Sequence, residues 1–445
     1  MSSDLLSIAR SGATAARIAL DLTAQNIANA ATEGYVRRTA RLEELAPASG
    51  PGQIDEVSLS GVRLAGITRN ADVFRQAEVR RTGSDAARAD AEVAGLRDIE
   101  AGVEQSGVYP ALVAFEASLQ RLAQDPVNPS LRAAALEDAR TAASSFNLAA
   151  SALDATGEGL RFDAQNGVAQ VNLLAGELGK INLRLARASD GSSDQTALLD
   201  QRDKLLERLS GFANIATAIG PDQTVTVTLG GSGGPQLVGR VAVTPFALVT
   251  AADGTISFTL GSSPASLSSG ALAGKAQALI TLAGIRARLD ATAGSLIAAA
   301  NGAQAGGVAL DGTAGQPLFS GTDAASIAVS LSNGAQLATA PAGASADSRD
   351  PANLDALRAA LAGAGVTDRV DATLFAISSA VAGRTVTRDA LQTIAASARQ
   401  AYDAQSGVDL DAEAVNLVRF QQAFQASGRA MQVASTLFDT LLAIR

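Results

Sequence analysis

Residues 410–442 read LDAEAVNLVRFQQAFQASGRAMQVASTLFDTLL. Leu410, Leu417, Phe424, Met431 and Phe438 recur at intervals of seven, and Phe420, Ser427, Ala434 and Leu441 form a second row beside them. Two rows at heptad spacing predict one long helix with a narrow apolar seam. Glu413 interrupts the second row at its first position. Asp409, Asp411 and Glu413 crowd the start of this helix, where carboxylates favour the positive end of the helix dipole.

The other end of the chain carries the matching pattern. Residues 4–30 hold no Pro and a single Gly, Gly12. Leu5, Ile8, Gly12, Ala15, Ala19 and Leu22 alternate steps of three and four, Asn26 and Asn29 continue the register, and Asp4, Arg10, Arg17 and Asp21 all fall off it. One terminus thus offers small residues and the other bulky ones. Burying each Leu, Phe or Met is worth about 1.5–3 kcal/mol, and a lone helix of this length is marginal in water. Each terminal helix therefore needs a partner, either the other terminus or a neighbouring subunit. Asn26 and Asn29 either set the register of the seam or cap the helix end.

Between the ends the pattern changes twice. Val36–Leu45 and Gly61–Arg69 read as extended, separated by the loop Pro47–Gly52 (PASGPG). Helical periodicity runs from about residue 70 to 107 and again over Leu112–Leu122, stopped by Asp125-Pro126 and Asn128-Pro129. Ala-rich helices follow over 130–188, then a short one at Leu198–Leu209 (LLDQRDKLLERL), whose Asp200, Asp203, Lys204, Glu207 and Arg208 read as an ion-paired wet face. Near Gly211 the chain turns β-rich: TVTVTL at 224–229 alternates cleanly, and Asp253-Gly254 between two short runs is a hairpin signal. Helix returns at 271–304. A Gly/Ala-rich irregular stretch, with one strand candidate at Ser326–Leu331, precedes three closing helices near 353–363, 387–404 and 410–444. The fold expected is mainly α with a small β insert: a central helical bundle, an outer β-rich domain, and terminal helices pairing as a coiled coil.

Composition removes most chemistries. The 445 residues include no Cys and no His, so there is no disulfide, thiolate nucleophile, HExxH zinc site or Ser-His-Asp triad. The 35 cations against 44 acids leave a charge of −9 and no basic patch, which argues against nucleic acid. No apolar run approaches the roughly 18–20 residues that cross a membrane, and the scattered charges at the N-terminus rule out a cleavable signal there. Gly270–Lys275 (GALAGK) is one residue short of a phosphate-binding loop and has Ala276 where Ser or Thr belongs. The glycines of 230–234 precede strands instead of opening a helix, as a dinucleotide site requires. The carboxylate groups Glu43-Glu44, Asp55-Glu56 and Asp409-Asp411-Glu413 read as ordinary acidic surface. A sugar-cleaving cleft would want stacking aromatics, and the chain has no Trp and three Tyr. No catalytic residue, cofactor or metal is expected.

Asn26–Arg38, NIANAATEGYVRR, resembles the signature near the N-terminus of bacterial flagellar rod, hook and hook-associated proteins, A-N-x-x-T-P-G-Y. Ala28, Asn29, Thr32, Gly34 and Tyr35 match it, and Glu33 replaces the usual Pro. That motif marks axial proteins without selecting one. Ser406–Leu442 is similar to the end of the flagellar hook-associated protein 1 family, with Phe420 and Phe424 in place of the usual tyrosines. Leu112–Arg132, Leu198–Leu206 and Pro317-Leu318-Phe319 agree with it.

The resemblance implies a structural, non-enzymatic subunit of the flagellum, exported by the flagellar type III apparatus without a cleaved signal and placed outside the cell at the hook–filament junction. It implies a ring of copies between the hook protein and a second junction protein, termini that order only against neighbours, and an export chaperone on the C-terminal helix. It also divides the chain into an assembly helix at 1–35, a helical core at 36–210 and 271–405, an outer insert at 211–270, and a second assembly helix at 406–445. The seam residues are Leu5, Ile8, Ala15, Leu22, Leu417, Phe420, Phe424, Met431, Phe438 and Leu441; the axial motif is Asn26, Ala28, Asn29, Thr32, Gly34 and Tyr35. Three rivals stand beside this reading. A hook or rod protein fits the ends less well. An enzyme carried on the same scaffold would have only Asp222 and Asp253 as carboxylates in its insert. The third is a helical adaptor that never assembles.

Overall fold

The structure is a computed structural model, described here over residues 2–32, 34–44, 61–240 and 242–443. The side chains of residues 2–4 and 441–443 fall outside that description, as do Glu33 and the loop Pro47–Gly52, so nothing is said of Leu441 in the seam. Nine α-helices are described: α1 Ser2–Ala28, α2 Val73–Gln105, α3 Val108–Leu122, α4 Pro129–Leu185, α5 Ser193–Phe212, α6 Ala271–Ala305, α7 Ala352–Ala364, α8 Val366–Ser406 and α9 Leu410–Ala443. The strands are β1 Arg38–Glu44, β2 Val62–Arg69, β3 Ile215–Ile219, β4 Val225–Leu229, β5 Gln236–Val238, β6 Phe246–Thr250, β7 Ile256–Leu260, β8 Ser263–Pro264, β9 Gly307–Val308, β10 Phe319–Ser320, β11 Ala328–Val329 and β12 Ala340–Pro341. The chain is mostly helical, with small antiparallel sheets.

Two compact units result. The first collects residues 1–84, 171–246 and 392–445. Here α1 packs against α9 on one side and against the β1–β2 hairpin on another. A broad stripe of Ala residues (Ala9, Ala13, Ala16, Ala19) permits that double contact, since small side chains let backbones approach. The hairpin is antiparallel from Arg38↔Arg69 to Glu44↔Val62, with a bulge at Arg41/Leu42. Its second strand starts where Val62 N–H donates to Ser11 Oγ at 3.1 Å. In the same unit β3, β4 and β5 form a sheet whose Val225, Val227 and Leu229 alternate inward, as TVTVTL predicts.

The second unit, residues 85–170 and 247–391, is a helical bundle around Phe115, Leu119, Phe146, Leu153 and Phe319. The rings of Phe115 and Phe319 meet edge to face, 6.1 Å apart at 78°. Arg132 is buried among them. Its guanidinium donates to the carbonyls of Pro126, Gly334, Ala335 and Leu337 and to Thr339 Oγ1, threading the irregular 333–339 loop onto α4. Burial without a carboxylate partner pushes the Arg132 pKa down.

One device recurs in both units. Four asparagines on helices each close a two-bond ring with a backbone residue beside or on a strand. Asn172 pairs with Phe246 N and O, Asn182 with Val225 N and O, Asn301 with Phe319 N and O, and Asn26 with Arg38 N and O. A side-chain amide has the donor and acceptor of a peptide group, so it can stand in for a neighbouring strand.

The sequence pattern differs from the structure in three places. The Ala-rich stretch is one helix of 57 residues, not several, because Gly157, Gly159 and Gly167 are tolerated in its interior. Helix α8 begins at Val366 instead of 387, opened by Gly365 at φ 60°, which closes α7. The β-rich stretch forms two three-stranded sheets, β3–β4–β5 and β6–β7–β8, where one small domain was expected.

Candidate assembly face

The seam predicted on α1 and α9 is only partly closed within the chain. On α1, Ala15 and Leu22 are buried and Ile8 is half-buried, but Leu5 is 53% exposed. On α9, Ala434 is buried, and Leu417, Phe420, Ser427 and Met431 are half-buried. Gly12 brings α1 close: a Cβ there would stand 3.1 Å from Ser427 Oγ. Phe424 and Phe438 stay 43% and 51% exposed. So the second row packs against α1 while two of the largest knobs of the first row face away. The resemblance implies termini that order only against neighbours; here both helices are formed and lie against each other.

The residues after α1 turn back onto the helix. Gly34 takes φ +77°, a conformation that disfavours any side chain with a Cβ. Tyr35 Oη donates to Asn26 Oδ1 at 2.9 Å, and the Arg38 guanidinium lies 4.9 Å from the Tyr35 ring centre. Burial raises the Tyr35 pKa, against the opposing pull of Arg38. Asn26 is neither a polar register residue of the seam nor a cap, because its amide is committed to Arg38 and Tyr35. Asn29 does serve the helix end: Nδ2 donates to Gln25 O, and Oδ1 accepts from Thr32 Oγ1. Ala28 and Thr32 are exposed.

The same turn reaches the far end of the sequence. Arg37 N–H donates to Ser406 O, and Asn70 Nδ2 to Gln405 O. Arg37 Nε donates to Glu413 Oε1 at 2.6 Å, and Glu413 is only 1% exposed. Glu413 therefore breaks the apolar row because it holds the N-terminal motif, which corrects its reading as acidic surface. The two stretches that carry the family resemblance meet here.

Helix α5 supplies a second correction. Asp200 and Asp203 do not line a wet face. Asp200 Oδ2 accepts from Arg38 at 2.6 Å, while its Oδ1 lies 2.8 Å from Arg69 Nε without hydrogen-bond alignment. Asp203 accepts from Arg69, Gln76 and Arg202, and Gln76 also donates to Tyr402 Oη. This mostly buried network ties the hairpin and the start of α2 to α5, and Gln76 carries the link to α8. Burial raises the Asp200 pKa although Arg69 and Arg38 oppose it. Burial also acts upward on Asp203, but Arg202 and Arg69 outweigh it and hold that carboxyl below its ordinary range. A signal was present in the sequence, since Asp203 sits four residues after Leu199 and three before Leu206, in line with the apolar row.

The family model for the flagellar hook-associated protein FlgK helical domain matches residues 96–319, half of the chain. The chain belongs to the flagellar hook-associated protein 1 family. Its two ends match further models, the flagella basal body rod protein at residues 6–35 and the flagellar basal body rod FlgEFG protein C-terminal at residues 399–444. Glu413 lies inside the second of these, and its partner Arg37 follows the first by two residues. Flagellar hook-associated protein 1 of Bacillus subtilis is 28% identical over 217 residues, 47% of this chain and 43% of that one. The Salmonella typhimurium protein of the same name is 25% identical over 231 residues, 51% of this chain and 41% of its own. The alignments thus span well under half the length of these relatives. The hook junction protein FlgK of Burkholderia pseudomallei overlays with a TM-score of 0.49 at 23% identity, covering 55% of this chain and 46% of that one.

Proposed function

We propose that this chain is a structural subunit of the bacterial flagellum at the junction between hook and filament. In this reading α1 and α9 pair as a coiled coil and continue the seam onto neighbouring copies, forming a ring between the hook protein and a second junction protein. The first and last segments are the assembly segments, and the strands of 211–270 belong to the outer part. The subunit leaves the cell through the flagellar type III apparatus, and before export a chaperone covers the open row of α9. It performs no catalysis and needs no cofactor.

The observation that supports this best is the half-closed seam. A helix destined only for its own globule has little use for Phe424 and Phe438 held toward solvent, whereas a subunit of a tube needs apolar knobs left over for its neighbours. Membership in the hook-associated protein 1 family gives the context. Imaging of a deletion strain tests the reading: hooks without filaments, and flagellin in the medium, are expected. The Phe424→Asp, Phe438→Asp variant should remain folded and secreted yet fail to restore filaments. Full motility with that variant refutes the seam.

A further inference from the structure

A groove between the end of α4 and α5 stands apart from the seam. Its floor is Ile181 and Leu205, and Lys180, Arg184, Lys204 and Arg208 rise around it, with Glu177 as the one acid. The whole chain has three lysines, and two of them are here; the third, Lys275, pairs with Asp163. Arg184 makes a loose, exposed contact with Asp194 at 3.8 Å, and Lys204 is engaged within its own chain. A concentrated positive charge over apolar carbon is unusual on a molecule of charge −9. It suits an acidic helix that also brings an apolar knob.

Such a helix face exists on the same chain. On α8, Asp368, Asp371, Ala372 and Phe375 fall at i, i+3, i+4 and i+7, hence on one side. All four are exposed, and Phe375 is 73% exposed. We propose that the α4/α5 groove receives α8 of a second copy, with Phe375 on Ile181 and Leu205 and with Asp368 and Asp371 facing Lys180, Arg184 and Arg208. Groove and stripe are different surfaces, so the contact is head to tail and propagates from copy to copy. It rests on the ring reading above and gives that ring a second contact, separate from the terminal helices.

Because the chain has no cysteine, two introduced ones report the contact without background. Full-length Gln201→Cys and Ala372→Cys chains, coexpressed in the deletion strain, should give a 201–372 crosslink in isolated hook–filament complexes treated with a short bismaleimide. Lys180→Glu with Arg208→Glu in the groove chain should cut that crosslink at least tenfold, and Asp368→Lys with Asp371→Lys in the other chain should restore it. Filaments attached to hooks with no 201–372 crosslink overturn this contact and leave the ring intact. So do crosslinks found only as 201–201 pairs or between position 201 and a different protein. If the unmodified chain fails to restore filaments to the deletion strain, the junction reading itself falls.

Discussion

Phenylalanine meets two fates in this molecule. In the bundle, Phe115, Phe146 and Phe319 have almost no contact with water, and each is met by packed neighbours. On α9, Phe420 is half-covered and Phe424 and Phe438 stand open. Those three bundle rings are enclosed by the chain's own residues, and the two open rings of α9 are not. Under the proposed function, stability rests on the enclosed rings and assembly on the open ones, and each can be broken alone.

The largest expected effect comes from the closed region. Phe146→Ala should cost about 3–5 kcal/mol by chemical denaturation, because a fully enclosed ring leaves a cavity. Phe424→Asp should shift the same curve by less than about 0.5 kcal/mol while abolishing filament attachment. Equal losses at both sites would dissolve the distinction.

Next in size is the ion network under the hairpin. Asp203→Ala leaves Arg69 and Arg202 facing each other without their shared carboxylate, and about 3 kcal/mol is expected. Hydrogen exchange should show the loss in β1, β2 and α5. Exchange unchanged in those elements would mean that the network is ornamental.

Smaller again is the amide ring at the motif. Asn26→Asp keeps the acceptor but removes the donor to Arg38 O, at about 1–3 kcal/mol. Asn29→Asp, on a more exposed amide, should cost about 0.5 kcal/mol or less. Reversal of that order would show that the motif serves the helix end and not the hairpin.

The smallest effect is in pH. The ordinary value for both carboxyls is 3.8. Asp203, held below it when folded, contributes stability that is complete above 3.8 and lost as the pH falls below it. Asp200, raised when folded, takes up its proton above 3.8 and favours the folded state slightly as that value is approached from above. Carboxyl-carbon NMR should therefore find Asp200 titrating first on acidification. Asp203 titrating first sinks the assignment.

Much of the fold was legible because periodicity is a local property. The heptad rows, the strands at 38–44 and 62–69, and the alternation of TVTVTL follow from residue spacing alone. What escaped depends on partners far away in sequence. Asp200 and Asp203 look like surface charges until Arg38 and Arg69 are placed against them, and Glu413 looks like a flaw in a stripe until Arg37 arrives. A helix near 353–363 was readable, but the 41-residue helix that follows Gly365 was not, since nothing local says that the next residues resume at once.

The clasp between Arg37 and Glu413 joins residues 376 apart in sequence, and Gln76 to Tyr402 joins residues 326 apart. A polypeptide is synthesised from its N-terminus, so residues 1–84 appear first and wait for nearly everything else. The bundle can close once residue 391 is present; the unit holding α1 cannot. Until then Arg37 has no Glu413, and the Ala face of α1 has no α9 to cover it. The layout thus makes the unit holding α1 depend on residues from both ends of the sequence, whereas the bundle draws on its middle alone.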